Sequence, residues 1–174
     1  MKLAAEIANK YGAEIIIRPP YLATDSARTV DVCIHALEEE VNLGRQYDIM
    51  CCLLATAPLR NAEDIKQTVA FVQNGYSNFA VAVSQYHFPP HQALKKTNSY
   101  LEPMWPDLIN KKSQEIPLLF VDNGSTYAVS VSAFLKEKSF YGKKLSGYLM
   151  PRTRSVDIDV KEDFEIALLF SENL

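Results

Sequence analysis

The chain has 174 residues, 48% of them apolar and 22% charged, which fits one soluble domain with a single core. The formal net charge of -3 argues against a general nucleic-acid binder, because such proteins carry a basic excess. No apolar run resembles a transmembrane span or a secretory leader, so we expect a cytoplasmic protein without membrane or nucleic-acid partners. The three cysteines include an adjacent pair in an apolar run. They predict buried, reduced residues with no catalytic role: Cys33, Cys51 and Cys52.

Helices and apolar strands alternate in the first half of the chain. Hydrophobic periodicity predicts helices over residues 2–11, 27–43 and 62–73, and strands over residues 14–17, 47–54 and 78–84. This order predicts a mostly parallel α/β sheet with helices on both faces. Because doubly wound domains usually open with a strand, the leading helix indicates that a first strand-loop-helix unit is missing.

The regular pattern breaks in the second half. Residues 85–124 are rich in aromatic residues and prolines, and we interpret them, with residues 138–146, as an excursion from the core of a single domain spanning residues 1–174. Exposed segments of this composition are typical of a partner interface or of a lid that covers a bound substrate. Further elements are predicted as strands over 126–131 and 147–150, a short helix over 132–138, and a closing helix that ends at Ser171.

Two carboxylates lie two residues apart just before the closing helix. If the segment is an extended strand end, Asp157 and Asp159 share a face, while Val156, Ile158 and Val160 can pack into a core. Paired hard oxygen ligands suit Mg²⁺ in phosphate chemistry. The alternative is a capping box, in which Asp159 caps the helix and Glu162 reaches back. Both interpretations can hold at once.

Other familiar motifs are absent from the sequence. His35, His87 and His91 lack zinc-site spacing, no glycine-rich phosphate loop occurs, and Ser125 does not lie in a nucleophile elbow. The polar residues at predicted strand ends suggest instead a phosphate-bearing ligand and a metal. They are Arg18, Asp25, Thr29, Arg60, Asn123, Tyr127, Asp157 and Asp159.

Five segments in order resemble one enzyme family, the acylneuraminate cytidylyltransferases, over essentially the whole chain. The first contains Tyr-Gly-Ala-Glu at 11–14, Arg-Pro at 18–19 and Leu-Ala-x-Asp at 22–25, and the second reads Leu-Leu-Ala-Thr-Ala-Pro-Leu-Arg at 53–60 with Asp64-Ile65. The others are Asp-Asn-Gly-x-x-Tyr at 122–127, Phe-Tyr at 140–141, and Arg-Ser-x-Asp-Ile-Asp at 154–159 with Glu162-Asp163. Ala-Thr-Ala-Pro, Phe88-Pro and Ser113-Gln look closer to the pseudaminic acid branch.

The resemblance implies a Rossmann-like fold of the nucleotide-diphospho-sugar transferase type. It also implies transfer of CMP from CTP to a nine-carbon α-keto acid sugar, such as sialic, pseudaminic or legionaminic acid, with release of pyrophosphate. Family members dimerise through an excursion placed like the one here, so a homodimer is expected. By position, the implied roles are nucleotide contacts for Arg18 and Thr29, sugar contacts for Asn123, Tyr127, Phe140 and Tyr141, and catalytic Mg²⁺ ligands for Asp157 and Asp159.

Two departures from the family pattern bear on the expected activity. The family's amino-terminal Ala-Arg-x-Gly-Ser-Lys loop is absent, and Leu54 replaces a polar substrate contact. We therefore expect an amino-terminally truncated chain with weak or no turnover. The alternative is a non-catalytic dimeric paralogue that binds a sugar or a protein as a scaffold. Loss of a first strand unit would expose a sheet edge or an apolar face that a second chain must cover.

Overall fold

The structure is a computed structural model that describes residues 2–172. Its helices are α1 (Lys2–Lys10), α2 (Thr29–Asn42), α3 (Ala62–Gln73), α4 (Val131–Glu137) and α5 (Lys161–Ser171). Its strands are β1 (Ile49–Leu53), β2 (Phe79–Gln85), β3 (Leu94–Lys96), β4 (Leu101–Pro103), β5 (Phe120–Ser130) and β6 (Ser146–Leu149). Within the described residues, no helix is both long and apolar enough to cross a bilayer.

Four strands form the central sheet in the order β1-β5-β2-β6. β5 lies antiparallel between β1 and β2, whereas β6 is parallel to β2, so β1, β2 and β6 share one direction. The predicted α/β class is confirmed. The reversed β5 makes the sheet mixed, a feature that the periodicity of the sequence does not reveal.

Alternating side chains on the central strands build a core on each face of the sheet. On one face, Phe79, Val81 and Val129 pack with Phe134 of α4 and with half-buried residues of α2. On the other face, Ala80 and Ala128 contact α3, and Val72 is the buried residue of that helix in this cluster. Helices therefore cover both faces, as predicted.

Residues 14–17 do not form the predicted buried strand. They lie outside every helix and strand, and their three isoleucines are exposed. A β-branched run becomes a strand only when a neighbouring strand pairs with its backbone. In the described part of the chain, β1 pairs with β5 alone, so residues 14–17 have no pairing partner.

The irregular second half contains more regular structure than its composition suggests. β3 and β4 pair as a small antiparallel sheet, and short 3₁₀ helices cover Pro90–Gln92 and Ser113–Glu115. β5 begins at Phe120, earlier than predicted, so residues 120–124 belong to the central sheet.

The closing helix is capped one residue later than predicted. Its N-cap is Val160, and the Asp163 carboxylate accepts the backbone N–H groups of Asp159 and Val160, each at 3.0 Å. The predicted capping box, with Asp159 as N-cap and Glu162 reaching back, is therefore wrong. The valine side chain has no acceptor, so the cap rests on Asp163 reaching back.

The segment before the closing helix is not a strand. Residues 155–158 have no regular structure, but Val156 and Ile158 pack with Leu59 and Ala167 as predicted. Val160 is exposed instead of buried. This packing anchors the backbone on either side of Asp157.

All three cysteines are free, and they differ in exposure. Cys33 and Cys52 are half-buried against the core that contains Phe79, whereas Cys51 is exposed. The prediction of a buried residue is wrong for Cys51, because β1 is the outermost strand of the sheet.

Candidate active site

Polar residues collect where β1, β2 and β6 end and β5 begins. Leu53 pairs with Thr126, Val83 pairs with Asp122, and the Met150 N–H donates to the carbonyl of Val83 at 2.8 Å. The start of β5 therefore lies beside the carboxyl ends of three strands. In open α/β sheets this edge is where ligands bind.

A bulge in β5 shapes this edge. The β2–β5 pairing jumps between Val81, opposite Tyr127, and Val83, opposite Asp122, so residues 123–126 leave the regular ladder with β2, although Thr126 still pairs with Leu53 of β1. Two side chains hold the bulge by accepting backbone N–H groups: Asp122 accepts from Gly124 at 3.0 Å, and Asn123 accepts from Ser125 at 3.2 Å. Bulges next to active sites commonly re-aim side chains in this way.

The carboxylate of Asp157 lies directly against Gly124. A Cβ added at Gly124 would stand 2.3 Å from Asp157 Oδ2, and Gly124 has φ +67°, so this position favours glycine for two reasons. Asp157 Oδ1 is buried and has no hydrogen-bond partner among the described residues. A buried, unpaired carboxylate oxygen is costly, so this oxygen is left able to take a ligand that the described residues do not supply.

Backbone and side-chain contacts hold the loop that carries Asp157. The N–H of Ile158 donates to the carbonyl of Thr56 at 2.8 Å, which ties the loop to the end of β1. Asp159 is exposed, with its backbone N–H on the α5 cap. The backbone that carries Asp157 is therefore fixed, whereas the side chain of Asp159, two residues later, is exposed to solvent.

An ion pair fixes the same loop to α3. Arg154 donates Nη2 to Oδ1 of Asp64 at 2.7 Å and Nε to Oδ2 at 3.0 Å, and Tyr148 donates to Oδ1 at 3.3 Å. Asp64 is 0% exposed and also accepts the N–H of Asn61 at 2.9 Å. Burial raises the pKa of Asp64, but the bonds from Arg154 and Asn61 outweigh it, so this pKa lies below its ordinary value.

Asn123 contributes to the framework of the site. Its Nδ2 donates to Ser155 Oγ at 3.0 Å and lies 3.3 Å from Met150 Sδ, while its Oδ1 accepts from the bulge. Both ends of this buried amide are therefore engaged inside the protein. The predicted substrate contact of Asn123 stays a prediction.

The three aromatic residues predicted to line the sugar site come together. The ring of Tyr127 lies 4.9 Å from that of Phe140 and 6.5 Å from that of Tyr141, and the Tyr141 hydroxyl donates to Asp122 Oδ2. Tyr127 and Phe140 are buried, whereas Tyr141 is exposed. The aromatic group therefore has a buried base and one accessible edge.

Both tyrosines of this group stay protonated at neutral pH. Burial, and then the neighbouring Asp122 carboxylate, raise the pKa of Tyr127 and raise the pKa of Tyr141 to about 12. The single hydroxyl proton of Tyr141 is already donated to Asp122, and both tyrosines are too weakly acidic to act as bases.

The polar residues predicted at strand ends in the first half of the chain differ in their surroundings. Arg60 uses Nη1 to bind three backbone carbonyls, those of Leu54, Ala57 and Ser125, at 2.7 to 3.0 Å, so this nitrogen holds the loop after β1 and does not reach for a phosphate. Arg18 and Thr29 are exposed. Among the described residues, neither side chain bonds to the group around Asp157, and their role as nucleotide contacts stays a prediction.

Sequence reasoning missed two links in this site. It named Arg154, Asp64 and Asp122 within separate segments but joined neither Arg154 to Asp64 nor Tyr141 to Asp122. The two residues of each pair lie in different segments of the chain. The only sequence signal for their contact was that these segments occur together in the family pattern.

The two carboxylates Asp157 and Asp159 fit a divalent cation whose remaining ligands are phosphate and water oxygens. In the described residues, no cluster of three or more acidic, histidine or cysteine side chains could hold a metal by itself. Mg²⁺ is commonly bound by one or two carboxylates, with phosphate and water oxygens completing its octahedron. Asp157, with its unpaired oxygen, and Asp159 match that pattern.

Comparisons with known proteins place the chain in a family. No protein-family profile matches it. The chain is 32% identical to a pseudaminic acid cytidylyltransferase of Campylobacter jejuni, over 97% of this chain and 74% of that protein. It is 30% identical to the post-translational flagellin modification protein B of Campylobacter coli, over 98% of this chain and 74% of that protein, and 28% identical to an N-acylneuraminate cytidylyltransferase of Escherichia coli, over 95% and 39%. The chain therefore belongs to the family of pseudaminic acid and N-acylneuraminate cytidylyltransferases.

Proposed function

We propose that this protein acts as a cytidylyltransferase, moving CMP from CTP to a nine-carbon α-keto acid sugar of the sialic, pseudaminic or legionaminic type. The anomeric hydroxyl oxygen forms a bond to the α-phosphorus, the bond to the β-phosphate oxygen breaks, and pyrophosphate leaves. Such a displacement needs positioning and charge neutralisation more than a covalent nucleophile. The relatives' names support this assignment.

The unpaired Oδ1 of Asp157 is the observation that carries the proposal. Asp157 and Asp159 would hold Mg²⁺, which when bound neutralises charge on the triphosphate. Gly124 and the Asp64–Arg154 ion pair keep the Asp157 carboxylate in place before any ligand arrives.

The remaining predicted residues take roles that follow from their surroundings. Tyr127, Phe140 and Tyr141 would offer an aromatic surface to the apolar face of a sugar, and the Tyr141 hydroxyl oxygen, whose proton is donated to Asp122, would accept from a sugar hydroxyl. Arg18 and Thr29 would contact the nucleotide. A cytoplasmic location and a homodimer formed through residues 86–119 and 138–146, the part of the predicted excursion that lies outside β2 and β5, belong to the same proposal.

The proposal predicts a metal effect that can be measured without turnover. Mg²⁺ should raise the thermal midpoint of the wild-type protein, since a ligand that binds only the folded state stabilises it. Asp157→Asn should abolish that increase, and in Mg²⁺-free buffer it should be at least as stable as wild type, because an unpaired charge is gone. Asp107→Asn, an exposed carboxylate of the excursion, is the matched control. An undiminished Mg²⁺ effect in Asp157→Asn would contradict the assignment.

Activity is tested by CTP-dependent pyrophosphate release with pseudaminic, legionaminic and N-acetylneuraminic acids. The sequence contains no glycine-rich phosphate loop, so we expect weak turnover by the isolated chain, with the highest rate on the true substrate class. Rates typical of an efficient nucleotidyltransferase would show that the expectation of weak turnover is wrong.

Within the described residues β1 is apolar and pairs on one side only, which favours a second candidate, a non-catalytic binding or scaffolding protein. Calorimetry separates the two functions. A cytidylyltransferase should bind CTP with Mg²⁺ and the sugar acid, whereas a pure scaffold should bind neither.

A further inference from the structure

Two cysteines meet in the layer between α2 and the face of the sheet. The α2 residues that pack against the core around Phe79 follow helical spacing, and they are Val30, Cys33, Ile34 and Leu37. The residues of β1 and the position after it that pack against the same core alternate along the chain, and they are Met50, Cys52 and Leu54. Cys33 and Cys52 therefore lie on two apolar surfaces that face each other.

The two thiols are in direct contact. The Cys33 thiol lies within hydrogen-bonding reach of the Cys52 sulfur and donates to it, and this bond, followed by burial, raises the pKa of Cys33. The same bond lowers the pKa of Cys52 against the raising effect of burial, and the Arg60 guanidinium also lowers it. A thiolate, the reactive form of cysteine, therefore forms more readily at Cys52, with a protonated thiol held beside it.

Cys51 provides an internal comparison for this pair. It neighbours Cys52 in β1, so its side chain points to the opposite face of the strand, away from Cys33. Loss of water around its thiol raises the pKa of Cys51 to about 11, and the charge of Cys52 adds to the rise. Cys51 is therefore protonated at neutral pH and has a weaker nucleophile than its neighbour.

We propose that Cys33 and Cys52 are a redox-active dithiol that a peroxide converts reversibly into a disulfide joining α2 to β1. The Cys52 thiolate attacks one oxygen of hydrogen peroxide, the O–O bond breaks, and a sulfenic acid forms while hydroxide leaves and takes up a proton to become water. The Cys33 sulfur then attacks the Cys52 sulfur, the S–O bond breaks, and a second water leaves with the Cys33 proton. Two thiols have lost two electrons, and one peroxide has become two waters. A small-molecule thiol restores the pair by disulfide exchange.

The pair does not rest on the cytidylyltransferase assignment. Neither cysteine is among the proposed metal, nucleotide or sugar contacts, so either proposal can fail without the other. Both thiols are half-buried, which suits an oxidant as small as a peroxide. In reducing compartments, disulfides formed by such pairs are usually transient and redox-sensing.

Hydrogen peroxide added to the reduced full chain is the probe, followed by alkylation of the remaining thiols and digestion. Trypsin separates Cys33, on the peptide of residues 29–45, from Cys51 and Cys52, on the peptide of residues 46–60. Mass spectrometry should show the two peptides joined, with the mass of two hydrogens lost. Fragmentation should place the link at Cys52 and the alkyl group at Cys51, and dithiothreitol should reverse the link.

The same oxidation in urea is the matched control. Cys51 and Cys52 close loops of nearly equal length with Cys33, so an unfolded chain should form the two links in about equal amounts. The native chain should favour the Cys52 link by about tenfold or more, because only the folded structure brings that thiol to Cys33. This comparison needs no substitution, so it does not depend on the folding of a variant.

Three substitutions assign the steps. Cys51→Ala should form the link at a rate within about twofold of wild type, because Cys51 takes no part. Cys52→Ala should slow the loss of thiols to peroxide by about tenfold or more, because the more acidic thiol is gone. Cys33→Ala should stop at the sulfenic acid of Cys52, which dimedone traps and mass spectrometry detects.

Four results would overturn the proposal. They are equal amounts of the two links in the native chain, oxidation of Cys51 before Cys52, a predominant link between two chains, and no loss of thiols at peroxide concentrations that oxidise free cysteine.

Discussion

Gly124→Ala tests whether the bulge of β5 holds the Asp157 carboxylate. The added Cβ would stand 2.3 Å from Asp157 Oδ2 and 2.7 Å from its Cγ, whereas ordinary contacts of this kind need about 3.5 Å. The carboxylate must therefore move by about 1 Å. Because Asp157 lies on a loop pinned by Arg154, we expect the shift to strain the loop as well as to disturb the carboxylate.

Gly124→Ala carries two free-energy costs, one from the backbone conformation and one from overpacking. The control variant Gly75→Ala separates them. A non-glycine residue at φ +67° costs about 1–2 kcal/mol, and overpacking costs about 1–3 kcal/mol more. Gly75 has φ +72° and nothing within 4 Å of an added Cβ, so Gly75→Ala carries the backbone cost alone. The difference between the two alanine variants isolates the contact with Asp157.

Chemical denaturation and thermal melting with and without Mg²⁺ measure the effect. For a chain of this size, about 1 kcal/mol shifts the midpoint by about 2–4 °C, so Gly75→Ala should lower it by about 2–8 °C and Gly124→Ala by clearly more. Only Gly124→Ala should lose the Mg²⁺-dependent increase. Equal stability losses in the two variants, with the Mg²⁺ effect intact in both, would refute the reasoning.

Two further predictions concern ionisable groups. Arg154→Ala should cost about 3 kcal/mol, because it leaves the buried Asp64 unpaired, while Arg28→Ala in an exposed ion pair should change little. The pKa of Asp64 lies below its ordinary value, since the bonds from Arg154 and Asn61 outweigh the raising effect of burial, so its stabilisation is present above about pH 4 and is lost as the pH falls. Acid unfolding curves should therefore be shallower in Arg154→Ala, and an unchanged curve would contradict the pairing. Spectrophotometric titration should show one tyrosine with a pKa of about 12, raised by burial and a nearby carboxylate, that disappears in Tyr141→Phe and persists in Tyr21→Phe.

The segments that formed as predicted are those whose local pattern and tertiary surroundings agree. α2, α3, β1 and β2 lie close to their predicted bounds, because helical spacing and continuous apolar runs reflect the faces that each element buries. Residues 14–17 show the opposite case. Their β-branched run is a strong strand signal, yet no neighbouring strand completes it in the described chain.

The residues of the candidate site could be named from the sequence, whereas their arrangement could not. The ordered segments identified Asp157, Tyr127 and Tyr141 as members of one site, since that information lies in residue type and spacing. The direction of β5 and the bulge before Tyr127 depend on pairing with strands far along the chain, and no local pattern encodes such pairing.

What the sequence alone determined is the α/β class, most element positions, and the family resemblance that brought these site residues into view. Only the tertiary structure decided that Asp157 lies against Gly124 with one oxygen unpaired, that Arg154 clamps Asp64, and that Asp122 accepts from Tyr141. The physical reason is that burial and hydrogen-bond satisfaction are properties of groups brought together from distant segments. The Oδ1 atom of Asp157 is unpaired because the fold buries it and brings no donor to it from the described residues.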